Sequence, residues 1–129
     1  MKEEKAIDFE SKIIDSSVWI AYILSGKYAE IINSEETLFL SVLSIFEIKK
    51  RFMKDKIKKT KIEEIIKFIK ERGILLYITQ EISEKASEIS IENRIPAIDS
   101  LIYATAIMNK SVLLTLDNDF RGLANVVIY

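Results

Sequence analysis

Residues 12–20 read KIIDSSVWI. Two branched apolar residues lead into Asp15, two serines follow, and a second apolar run opens at Val18. This pattern predicts a short buried strand over Lys12–Asp15 and then a helix. Ser16 or Ser17 can cap that helix, and Val18–Leu24 forms its apolar body. Asp15 then stands at the carboxyl end of a strand, and the question is whether other acids arrive at the same place.

The same alternation continues along the chain. Gly26 breaks the first helix, and Lys27–Asn33 gives a short second one. Strands are predicted at Thr37–Ser41, Ile74–Thr79, Val112–Leu116 and Val126–Ile128. Between them, Ser44 to about Lys56 is predicted helical, with Ile45, Ile48, Phe52 and Met53 on one face. Lys61–Arg72 is amphipathic, with Ile62, Ile65, Ile66 and Ile69 on one side, and Gly73 stands at the C′ position where helices commonly stop. Glu81–Asn93 carries Glu81, Glu84, Glu88 and Glu92 at helical spacing. Pro96 opens a last helix through Lys110 that is apolar on most sides and so belongs at the centre. Helices alternating with continuous apolar strands are the signature of a parallel sheet covered on both faces.

The chain has 129 residues, 49% of them hydrophobic, with 3 Gly and 1 Pro, which suits one ordered domain. The division expected is a polar lead-in over residues 1–11 and a single domain over 12–129. Cys and His are both absent. Thiol nucleophiles, thiolate or imidazole zinc sites and Ser-His-Asp hydrolysis are therefore excluded, leaving carboxylates, hydroxyls, Lys, Arg, Tyr or a hard metal ion. The charged start, MKEEKAIDFE, has no apolar signal core, and the longest apolar stretch, Val18–Leu24, is too short to span a bilayer. A cytoplasmic protein with no membrane partner is the expectation. Net charge is −1, but Lys49–Lys61 holds eight basic residues against one acid.

Four acids fall where open α/β sheets build their sites, outside the carboxyl ends of the strands. Asp15 follows the first strand, and Glu47 lies early in the helix after the second. Asp99 is near the start of the buried PAIDSLIYATA helix, and Asp117 follows the fourth strand in LLTLDNDF. Each has a plainer role. Asp15 can cap a helix, and Glu47 can close a capping box with Ser44. Asp99 can complement a helix dipole, and Asp117 and Asp119 can make a turn. The coincidence of all four on separate elements favours a shared cleft. Clustered carboxylates repel unless protonated or neutralised by a cation, and an oxygen-only set suits Mg²⁺ or Mn²⁺.

Four segments, IIDSSVWIAYI, LSVLSIFEI, IPAIDSLIYATA and LLTLDNDFRGL, in this order and spacing, resemble a PIN-domain ribonuclease, most of all the small VapC-type toxins of toxin–antitoxin pairs. The resemblance covers about residues 12–129 and implies a three-layer α/β/α sandwich with a mostly parallel sheet of about five strands. It implies catalytic and metal-binding roles for Asp15, Glu47, Asp99 and Asp117, with Asp119 as an auxiliary acid. Ser17 and Thr115 match hydroxyls that orient carboxylates or water. It further implies Mg²⁺- or Mn²⁺-dependent endonucleolytic cleavage of RNA, a homodimer, and a cognate antitoxin whose tail occupies the cleft. The lead-in is longer than the short start typical of such toxins.

Candidate phosphate contacts are Lys49, Lys50, Arg51 and Lys54 beside Glu47, and Arg121 after DNDF; the alternative for the basic run is a solvated helix end. Trp19, Tyr22 and Tyr28 can stack on bases, though their helical spacing fits core or dimer contacts better. Two other readings stay open. One is a Mg²⁺-dependent phosphotransferase or phosphatase with Asp15 as nucleophile, although Ser17 stands where a second acid is common and Lys110 is poorly placed. The other is a non-catalytic PIN-like binding module.

Overall fold

The computed structural model describes residues 11–129. The expected lead-in lies outside the described residues except for Ser11, which joins strand β1 (Ser11–Ile14). β1 sits at the centre of a five-stranded sheet with β2 (Leu38–Ser41), β3 (Ile74–Leu76), β4 (Ser111–Thr115) and β5 (Val126–Ile128), in the order β3-β2-β1-β4-β5. Every neighbouring pair is parallel.

The apolar strand residues sort by the two-residue pleat. Ile14, Leu38, Leu40 and Leu114 face one core, while Ile13 and Leu113 face the other. The first core is covered by α1 (Ser16–Ser25), α2 (Ala29–Ile32), α3 (Val42–Lys54) and α4 (Lys59–Arg72), through Trp19, Ile32, Phe52 and Ile69. The second is covered by α5 (Gln80–Asn93) and α6 (Ala97–Met108), through Ile82, Ile89, Ile102 and Ala106. The result is the three-layer α/β/α sandwich expected. No helix of the described residues is long and apolar enough to cross a membrane.

Three local readings need correction. Helix α3 starts at Val42, not Ser44. Ser41 ends β2 and caps the helix at once, its hydroxyl accepting from the Leu43 N–H at 3.0 Å. Ser44 is therefore inside the helix and fully buried, and it forms no capping box with Glu47. Gly73 does end α4, but its backbone is extended, with φ −110°. Glycine is needed there for space, because a Cβ would stand 2.9 Å from Leu40 Cδ2. Pro96 is the residue before α6 rather than part of its first turn. By contrast Gly26 does adopt the left-handed turn that stops α1, with φ 74° and its N–H donating to the Tyr22 carbonyl.

The aromatic residues near the first strand are structural. Trp19 is wholly buried. Tyr22 stacks on Phe68 at 6.0 Å and Tyr28 on Tyr129 at 4.5 Å between ring centroids. Arg72 reaches back from the end of α4 and donates to the carbonyls of Ile32, Ser34 and Glu36, which fixes the connection into β2.

Candidate active site

The chain passes from β1 to one side of the sheet and returns on the other through β4, so a crevice opens beyond the carboxyl ends of these two strands. Asp15 follows β1 directly and is tied into the sheet by its N–H donating to the Leu114 carbonyl at 3.0 Å. It occupies the N-cap position of α1, yet its carboxylate makes no capping bond. Instead Oδ2 accepts from the Ser17 hydroxyl at 2.7 Å and from the Thr115 hydroxyl at 2.9 Å. Both hydroxyls are themselves fixed, accepting from the N–H groups of Leu116 and Asp117 at 3.0 Å each. Asp15, only 5% exposed, is thus a clamped carboxylate at the floor of the crevice.

Asp117 follows β4 and caps a single 3₁₀ turn (Asn118–Phe120), accepting from the Asp119 N–H at 2.9 Å. The turn is anchored by Phe120, which is wholly buried in the second core. Asp99 enters from the first turn of α6. Asp99, Asp117 and Asp119 each bring a carboxylate oxygen to within 4.8 Å of the other two. The exposed Asp119, expected as an auxiliary, is a full member of this group. The D-x-D spacing of Asp117 and Asp119 was the sequence signal for it.

Glu47 stands one further step away, on the second turn of α3, and accepts from the Ser16 hydroxyl at 2.9 Å. The Ser16 contact had no sequence signal. Burial pushes the Glu47 carboxyl above its usual value, and the charges of Asp15 and Asp117 push it the same way; Ser16 and Lys50 oppose them. Asp99 is raised further, from 3.8 to about 7. Burial is the main cause, followed by the charges of Asp117 and Asp15 and by a hydrogen bond with Asp117 that only protonated Asp99 can donate. The five acids therefore share one electrostatic field. Among the described residues no Lys or Arg forms an ion pair with any of them. Three carboxylate oxygens in mutual reach, with no cation of the protein's own, fit a hard divalent ion such as Mg²⁺ or Mn²⁺.

The basic residues divide. Lys50 is the one whose charge acts on Glu47, and it also lies over the Phe46 ring at 5.7 Å. Lys49 turns away to line a groove between α3 and α4 with Ile45 and Ile62. Arg51 pairs with Asp55 at 2.9 Å, and Lys54 is exposed near the end of α3. Arg121 follows the 3₁₀ turn and donates to Asn118 Oδ1 at 3.1 Å.

The raised carboxyls fix the sign of a pH effect. The folded, metal-free protein keeps a proton on Asp99 that the unfolded chain releases above about pH 3.8. That contribution to stability is present at low pH and is lost as pH rises through about 7. Glu47 acts in the same direction. Thermal melts in EDTA across pH 5 to 8 are expected to show Tm falling, with Mg²⁺ or Mn²⁺ restoring it at pH 8 and doing little at pH 5. A Tm that rises with pH in EDTA contradicts this.

The fold has close counterparts among solved structures. A toxin–antitoxin complex from Klebsiella pneumoniae contains a chain with TM-score 0.76 and 20% identity, the match covering 90% of this chain and 95% of that one. VapBC-1 from nontypeable Haemophilus influenzae gives TM-score 0.77 at 17% identity, over 92% and 97% of the two chains. VapC20 from Mycobacterium tuberculosis, described as a sarcin-ricin-loop-cleaving toxin, gives 0.59 at 14% identity, over 84% and 91%. No curated protein sequence matches the chain. The PIN domain model matches residues 12–126, which takes in all five acids. The chain belongs to the PIN domain family.

Proposed function

We propose that this protein is a divalent-metal-dependent endoribonuclease and the toxin of a toxin–antitoxin pair. The observation that carries the reading is the convergence of five carboxylates from four parts of the chain at the sheet's switch point, three of them within 4.8 Å. Asp99, Asp117 and Asp119 would hold the ion, with Asp15 beside them. An ion held there, Mg²⁺ or Mn²⁺, would supply a water of lowered pKa and offset negative charge on the substrate phosphate. The remaining work belongs to the chain. Ser17 and Thr115 hold the Asp15 carboxylate in one orientation. Glu47, with its raised carboxyl, takes the proton of the attacking water. Lys50 and Arg121 meet substrate phosphates, so RNA binding weakens steeply with salt. As the water oxygen bonds to phosphorus the P–O3′ bond breaks, and the 3′-oxygen takes a proton from solvent, so the products carry a 5′-phosphate and a 3′-hydroxyl.

Two of the solved counterparts are toxin–antitoxin complexes, VapBC-1 among them. The antitoxin of this protein would use the groove between α3 and α4, lined by Ile45, Lys49, Ile62, Ile66 and Lys67. A homodimer would use the face of α5 and α6 that carries Ser83, Ser87, Ser90, Leu101 and Ile91, which is 81% exposed. The phosphotransferase alternative finds little support. Lys110 precedes β4, at the end of the strands opposite Asp15, so it is not the lysine that an aspartyl-phosphate there would need.

The test is cleavage of a mixed RNA pool by wild type and Asp15→Asn, in Mg²⁺, Mn²⁺ or EDTA. Cleavage is expected only for wild type with metal, leaving 5′-phosphate ends. Equal cleavage by both proteins, or cleavage undiminished in EDTA, overturns the reading.

A further inference from the structure

Ser16 is the first residue of α1, in a string where either serine could cap the helix. It does not cap. Its hydroxyl crosses to α3 and donates to Glu47 Oε1 at 2.9 Å. Among the described residues this is the only side-chain hydrogen bond that joins α1 to α3. Glu47 has a competing partner one turn on, since Lys50 lies at the i+3 position and its charge attracts the carboxylate. Lys50 faces solvent, and pairing with it would draw Glu47 out of the crevice. No such pair forms; the carboxylate stays with Ser16, next to Asp15 in the chain.

We propose that Ser16 is a positioning residue that occupies Oε1 of Glu47 and so keeps the carboxylate turned toward the other acids. The proposal rests on the reading of Glu47 as the proton acceptor of an RNA-cleaving site. Ser16 touches neither the ion ligands Asp99, Asp117 and Asp119 nor, by this assignment, the substrate. Its loss therefore acts on the chemical step and leaves binding alone. The bond is made to a charged acceptor, and losing it lowers kcat on the order of 10-fold.

The experiment measures kcat and KM on one RNA substrate with Mn²⁺ for wild type, Ser16→Ala, Ser16→Thr, Glu47→Gln and the double variant Ser16→Ala/Glu47→Gln. Ser16→Ala is expected to lose about 10-fold in kcat with KM nearly unchanged. Its melting-temperature increase on adding Mn²⁺ should match that of wild type. Ser16→Thr, which keeps the hydroxyl, should retain kcat. The double variant should be no slower than Glu47→Gln, because the two act as one unit. Wild-type kcat in Ser16→Ala beside an impaired Glu47→Gln overturns the proposal while leaving the nuclease reading intact. A Ser16→Ala loss that persists in full on the Glu47→Gln background also overturns it. Wild-type rates in Glu47→Gln remove the role of Glu47 itself, and the proposal with it.

Discussion

Asp99→Asn lowers RNA cleavage by on the order of 10²-fold or more, the scale on which a single preorganised electrostatic group acts, and at the same time raises the melting temperature of the metal-free protein near pH 8. Both effects come from one cause. At that pH the wild-type protein must place a charged Asp99 beside Asp117, Asp119 and Asp15, against burial and like charges that raise its carboxyl to about 7. The amide is neutral, nearly the same size, and can still donate a hydrogen bond to Asp117. The variant therefore gains stability where wild type loses it, and the gain fades toward low pH, where Asp99 is protonated in both the folded and the unfolded chain. In the presence of Mn²⁺ the order reverses, because wild type gains binding energy that the variant largely lacks. Melts of the two proteins at pH 5 and 8, with EDTA or Mn²⁺, together with RNA cleavage assays, check every part of this. A variant that is less stable than wild type in EDTA at pH 8 would sink the electrostatic account, whatever its activity.

Phe120→Ala is expected to cost about 3–5 kcal/mol, the range for truncating a buried aromatic side chain. The ring is wholly buried in the second core, packed with the apolar residues of α6 and β4. It is also the last residue of the 3₁₀ turn whose first acid, Asp117, caps the turn and whose second, Asp119, donates its N–H to that cap. The cap bond ties the two acids to each other, and the ring anchors the turn that carries them to the second core. Metal affinity should therefore fall along with stability, and it should fall even at temperatures where the variant remains folded. Urea unfolding and Mn²⁺ titration measure the two effects separately. Phe120→Leu fills part of the space and should lose less on both counts. A Phe120→Ala protein with stability within 1 kcal/mol of wild type would mean that the core does not anchor the turn.

The sheet and its helices were legible because the strands are unbroken apolar runs separated by strongly periodic helices; Ile62, Ile65 and Ile69, for instance, are all buried on one face of α4 as their spacing required. The start of α3 was not. In TLFLSVLSIFE both serines precede apolar residues, and hydrophobic pattern alone cannot tell a strand end from a helix start. The deciding contact is between strands: Ser41 pairs in register with Leu76, and the chain turns directly after it. That choice frees Glu47 from capping and turns it toward α1. Asp15, Asp99 and Asp117 were placed by the rule that sites form at the carboxyl ends of parallel strands, and the crevice does contain them. The D-x-D spacing pointed to Asp119, but its full membership with Asp99 and Asp117 was not legible, because it depends on the 3₁₀ turn that Asp117 caps and Phe120 anchors.

The two outer strands, β3 and β5, have three residues each. A parallel sheet ends in rows of unsatisfied backbone donors and acceptors, to which a stray extended polypeptide can add itself. Three residues offer too few rungs for such a guest to hold. Ile74 and Val127 can thus stand open to water at these margins, 53% and 45% exposed, without the sheet growing from molecule to molecule. Brevity at the rim is this fold's guard against fibrous self-association.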